Sequence, residues 1–130
     1  MDSILNTVKQ ALGVEMDYAG FDTNILLDIN SAIWSLNQIG VGPTNGFVVK
    51  GESENWSELI GDSIKLESVK TYIVDKVRLS FDPPTSSYLV EAIQKQIQEL
   101  EWRLLIEVDR VFTDGILLSR SALTNVIEDI

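Results

Sequence analysis

Leu89, Ile93, Ile97, Leu100, Leu104 and Val108 recur at steps of four, four, three, four and four. On a helix of 3.6 residues per turn that spacing draws a single apolar stripe. Upstream, Leu66, Val69, Ile73, Val77 and Phe81 do the same, with Tyr72 alongside. Between the two runs lies Asp82-Pro83-Pro84. Proline lacks the amide donor and drives the residue before it out of the α region, so a helix must stop there. Thr85, Ser86 and Ser87 can each cap the helix that follows. Two long amphipathic helices on so short a connector imply an antiparallel α-hairpin. The pattern predicts one arm over about Ser63 to Phe81 and the other from Thr85–Ser87 to about Arg110, roughly 28 and 37 Å long.

The rest of the chain is punctuated by helix signals. Residues 2–12 predict a short first helix, capped by Asp2 or Ser3, with Ile4, Leu5, Val8 and Leu12 on one face and Gly13 placed to end it. A second helix starts at Asp22 or Thr23, with Phe21 positioned as a hydrophobic staple. Its main stripe is Leu26, Ile29, Ile33 and Leu36, with Leu27 and Trp34 on a flanking face, and Gly40 and Gly42-Pro43 end it. Residues 40–62 are irregular, long for a connection in a compact domain. Phe47-Val48-Val49 is β-prone enough for a small strand or hairpin arm, and Asn55 to Ile60 for one helical turn. After Arg110, Thr113-Asp114-Gly115 reads as a helix break. The expected fold is therefore mainly α: a small bundle of four main helices with a long α-hairpin, an irregular middle loop and a C-terminal tail. The helical domain is assigned to residues 1–112 and the tail to 113–130.

Composition narrows the function. One domain is the expectation for 130 residues. The N-terminus lacks the basic n-region of a secretory signal, and no apolar run reaches the ~20 residues of a membrane helix. There is no cysteine and no histidine. Without them, Ser-His and Cys-His nucleophile systems and most zinc sites are excluded, and no catalytic, cofactor or metal residue is assigned. Glu99, Glu101, Glu107 and Asp109 crowd the last long helix, but helix-bundle metal sites use a Glu-x-x-His motif, so these acids read as a solvated face. Gly40-Val41-Gly42-Pro43-Thr44-Asn45-Gly46 lacks the Lys of a phosphate-binding loop and follows a helix, so it reads as a connection.

The net charge is −10, unevenly placed. Residues 1–62 hold nine acids against Lys9 and Lys50, whereas residues 63–110 hold eight acids against seven bases. Such a surface repels nucleic-acid phosphates and leaves two readings open besides a structural one. One is an acidic DNA mimic or inhibitor of a basic host enzyme; the other is a carboxylate-based metalloenzyme. Against mimicry, the helical half is nearly balanced in charge. The apolar pattern favours contact with other chains instead. From Trp102 to Phe112 the second arm is apolar on more than one face, and such a helix must be covered on more than one side, by another chain or by the 116–127 tail. The interface candidates are Trp102, Leu105, Ile106, Val111 and Phe112, then Leu117, Leu118, Leu123, Val126 and Ile127 in the tail. Trp56 joins them, because it sits in a polar loop where it either pins that loop or anchors a partner.

Several of these segments together resemble the head–tail connector, or head-completion adaptor, proteins of long-tailed bacteriophages. The resemblance spans about residues 1–110. It rests on the opening helix Ile4-Leu5…Val8-Lys9…Leu12-Gly13, the acidic lead from Phe21 to Ala32, and the turn Leu36-Asn37-Gln38-Ile39-Gly40-Val41-Gly42. It continues in the helix Ser68 to Leu79 and in Phe81-Asp82-Pro83-Pro84-Thr85-Ser86, which leads into a glutamine-rich helix with Glu101-Trp102-Arg103. The resemblance implies a non-enzymatic α-helical virion protein of the neck, assembled in the bacterial host cytoplasm and needing no cofactor or membrane. Such subunits form a ring, commonly a dodecamer, under the portal protein. The ring extends the DNA channel, lets DNA pass without specific binding, and carries the next neck or tail-completion protein. The family's C-terminal segment often packs on the portal, which here falls on residues 111–130. Glu52, Glu54, Glu58 and Asp62 are the candidates to line the channel.

Overall fold

Ser3 begins the fold. Its hydroxyl accepts from the Asn6 amide at 3.3 Å, an N-cap for α1 (Ile4–Leu12), which Gly13 closes in the left-handed conformation. The computed structural model describes the backbone of residues 3–61 and 65–128, and the side chains of 3–61 and 65–108. Four more helices follow: α2 (Asp22–Gln38), α3 (Trp56–Ile60), α4 (Leu66–Phe81) and α5 (Ser87–Glu128). The architecture is mainly α, as the periodicity predicts. Helix α4 is the hub and packs against α1, α2 and α5.

The core is the set of predicted stripes brought face to face. Val69, Tyr72, Ile73 and Val77 of α4 meet Ile25, Ile29, Ile33 and Leu36 of α2, Ile4, Leu5 and Val8 of α1, and Ile97 and Leu104 of α5. On α2 the stripe enters one residue earlier than expected: Ile25 is buried and Leu26 only half so. The α-hairpin forms around Asp82-Pro83-Pro84, and Ser86 Oγ accepts from the Leu89 amide at the start of α5. Tyr72 ties its arms together, donating its hydroxyl to Glu101 Oε1 at 2.8 Å. Burial and that carboxylate push the phenol's pKa well up, so it stays a donor. At the far end of the hairpin Val108 packs over Gly40, whose φ is +95° and where a Cβ would meet Val108 Cγ1 at 2.8 Å. Glycine is required there both for the backbone conformation and for the close approach.

Three expectations are corrected. Thr113-Asp114-Gly115 does not end the last helix: α5 is continuous over 42 residues. A glycine inside a helix costs only about 1 kcal/mol relative to alanine, and without a proline nothing sterically forbids the continuation. Next, Asp22 and Thr23 do not cap α2; Asp22 is its first residue and no side chain caps it. The Asp22 carboxylate is instead paired with Lys9 Nζ at 2.8 Å. Finally, Phe47-Val48-Val49 makes no strand; among the described residues the only β pairing is an isolated bridge between Ser3 and Asn55. The Asn30 side chain takes the place of a neighbouring strand. Its Oδ1 accepts from the Val49 amide at 2.8 Å and its Nδ2 donates to the Val49 carbonyl at 2.9 Å. Two turns along α2, Asn37 Nδ2 donates to the Pro43 carbonyl at 2.6 Å. The irregular segment is thus laid along α2 by two asparagines seven residues apart. The expected helical turn after Asn55 does form, as α3, with Glu58 Oε1 accepting from the Asn55 amide at 3.1 Å.

Candidate interaction surfaces

Trp56 belongs to the core. It is 2% exposed, its Nε1 donates to Thr7 Oγ1 at 3.0 Å, and Lys70 Nζ lies 5.7 Å from its ring centroid. It therefore pins the middle segment to α1 and offers no side chain to a partner. The backbone around it is held in the same way: the Ile4 amide donates to the Glu54 carbonyl at 3.1 Å, and Glu54 Oε1 accepts from the Lys50 and Gly51 amides at 3.1 and 3.2 Å. Burial raises the Glu54 pKa, but those amides and the Lys50 charge together outweigh it and hold the carboxyl below its ordinary value. Of the four acids expected to line a channel, Glu54 and Glu58 thus brace their own loop, Glu52 is exposed, and Asp62 lies outside the described residues.

Among the described residues, large apolar side chains left outside the core gather in three places. The first is the outer face of α2, where Leu27 and Trp34, two turns apart, are 66% and 63% exposed. Trp34 joins Phe47, Val48 and Ile33 around a cleft of about 310 Å³. The second is the outer face of α5, where Trp102 and Ile106 are exposed and Leu105 is half-buried. The third is the end of the bundle where the hairpin turns, with Tyr18, Phe21, Tyr88 and Leu89 exposed. Of the expected interface residues, Trp102 and Ile106 are exposed. Val111, Phe112, Leu117, Leu118, Leu123, Val126 and Ile127 are carried on α5, and their side chains lie outside the described residues. Leu27 and Trp34 had signalled a flanking face by their spacing alone.

The polar groups are organised for structure. Glu99 pairs with Arg103 at 2.5 Å and Glu101 receives Tyr72. Among the described residues no three His, Cys, Asp or Glu side chains form a group that could hold a metal ion, and no helix is long and apolar enough to cross a membrane. The residue most underrated by sequence reasoning is Lys9, 1% exposed. Its ammonium meets Asp22 and donates to the Met16 and Tyr18 carbonyls at 3.1 and 2.7 Å. A signal was present: Lys9 stands four residues after Leu5 and next to Val8, on the apolar side of α1. Asp75 of α4 is also buried, and that burial pushes its carboxyl up to about 6 against the pull of the Arg78 charge.

A family model described as "Phage connector protein" matches residues 4–111. The match takes in α1 to α4 and the part of α5 that packs on them. No curated protein and no solved structure matches the chain.

Proposed function

We propose that this chain, which belongs to the phage connector protein family, works in the virion neck as a subunit of a ring beneath the portal protein. The ring extends the DNA channel and joins the capsid to the tail or to the next neck protein. The family match over every packed element carries this reading. The distribution of apolar surface supports it: α2 presents Trp34 beside Phe47 and Val48, while α5 presents Trp102 and Ile106. Two unlike patches on one subunit suit a head-to-tail contact, which repeats until it closes. A net charge of −10 suits a passage through which DNA slides, because phosphates are repelled rather than held.

The Tyr72–Glu101 bond fixes the register of the hairpin and brings the start of α4 level with about Glu107. Residues 109–128 of α5 thus extend beyond the α4 arm, by roughly 30 Å. In the proposed assembly this extension is the portal-docking segment. Light scattering on a sizing column tests the proposal: the chain alone elutes as a monomer or weak oligomer, and co-elutes with portal protein. Failure to bind portal, together with a tight complex with a basic nuclease, would replace it by the mimicry reading.

A further inference from the structure

The end of the bundle where the hairpin turns has a chemistry of its own. Tyr18, Phe21 and Phe81 form an edge-to-face row, with centroids 5.2 Å apart at both steps. Shallow clefts of about 330–350 Å³ open on either side of Phe21, one floored by Leu27 and Asp28, another by Val14 and Asp82. Tyr88, 77% exposed, starts α5 at the same end. A protein seldom displays this many rings together unless something covers them.

The charges say what kind of group does so. From Gln10 to Val49 the chain has no lysine or arginine, but it has Glu15, Asp17, Asp22 and Asp28; from Leu79 to Gln94 it again has none, but it has Asp82 and Glu91. The two bases that border this end are already engaged, Lys9 with Asp22 and Arg78 Nη2 with the Ala11 carbonyl at 2.9 Å. Apart from Asp22, these carboxylates stand at the end that carries the exposed rings with no base paired to them among the described residues. Burial pushes the Asp28 carboxyl up, a penalty that an arriving cation relieves.

We propose that this end of the bundle docks a basic protein segment in which lysine or arginine alternates with large apolar side chains. The apolar groups enter the clefts beside Phe21, the aliphatic stems lie along the rings, and the cationic heads reach the acids and the ring faces. The surface lies at the opposite end of the hairpin from the 109–128 extension, so it serves a different contact from the one proposed for the portal and stands without it.

Fluorescence anisotropy on the full chain tests this with a labelled peptide of alternating lysine and leucine. Two control peptides of the same length replace leucine by serine or lysine by glutamate. The lysine–leucine peptide binds and the controls do not. Leu27→Lys, and separately Asp17→Asn with Asp28→Asn, weaken binding by about tenfold or more, with helicity unchanged. Glu52→Gln, in the middle segment, leaves it unaltered. Gly20→Ala weakens it without changing charge, because its Cβ would lie within van der Waals distance of the Tyr18 ring and displace it. Equal binding of the lysine–serine peptide, or indifference to Leu27→Lys, overturns the proposal. So does self-association of the free chain that Leu27→Lys abolishes, which would make a second copy the occupant.

Discussion

A lysine ammonium is tolerated out of water only when its protons find acceptors, and Lys9 finds three, all in the connection from α1 to α2 or at its end. No side chain of that connection, Gly13 to Phe21, is itself buried, so the buried charge fixes its course. Lys9→Met should lower unfolding free energy by roughly 2–4 kcal/mol in urea titrations. Adding Asp22→Asn should recover part of the loss, since the stranded carboxylate is then gone. Asp75 works in the opposite sense. Its folded-state pKa of about 6 exceeds the ordinary 3.8, so the folded protein holds the proton more tightly than the unfolded chain. The associated stability is complete below pH 3.8 and is lost as pH rises through 6, about 3 kcal/mol at most. Asp75→Asn should remove that slope and raise stability at pH 7. The place of Lys9 on the apolar side of α1 was legible, but its partners were not, and nothing marked Asp75. A sequence displays hydrophobic period, but not which carbonyls a lysine will meet after the chain has turned.

At the scale of elements, legibility followed periodicity. The stripes of α4 and α5 lie where their spacing puts them, because a helix face is set by residue number alone. How deep each position lies is set by the partner. Leu104 is 3% exposed, Leu100 is half-buried, and Leu89, at the tip, is half exposed. Alanine at Leu104 should therefore cost about 2–5 kcal/mol, at Leu100 less, and at Leu89 almost nothing, measured as shifts in denaturation midpoint. The course of residues 41–50 was not legible. Phe47-Val48-Val49 has β composition, but its hydrogen-bonding partner is the Asn30 side chain, nineteen residues away. Asparagine in mid-helix is a weak helix former that often bonds backbone elsewhere, and Asn30 and Asn37 were a clue of that kind. Removing residues 113–130 should leave the packed bundle, with a melting temperature near that of the full chain and loss of portal co-elution. If the truncated chain unfolds, the end of α5 is core and the docking role fails.

For the whole molecule, the division of charge and the division of surface coincide. The acidic first half supplies α1, α2 and the middle segment, and the nearly neutral second half supplies the hairpin. Connector membership assigns the chain to the phage neck, and the interaction candidates rest on that division: Trp102 and Ile106 are exposed on the hairpin, whereas Trp56, open between pinning its loop and anchoring a partner, pins it through a contact with α1 that its polar neighbours hid. The unbroken run of α5 also imposes a discipline of phase. Along a continuous helix each added residue advances everything downstream by about 1.5 Å and turns it by about 100°. One residue inserted after Val108 would swing the whole C-terminal face away from its present bearing, while seven would return it to within about 20°. Portal binding should therefore survive a seven-residue insertion better than a one-residue insertion, as read by co-elution, and sequence changes along this helix should be tolerated in helical repeats rather than in proportion to length.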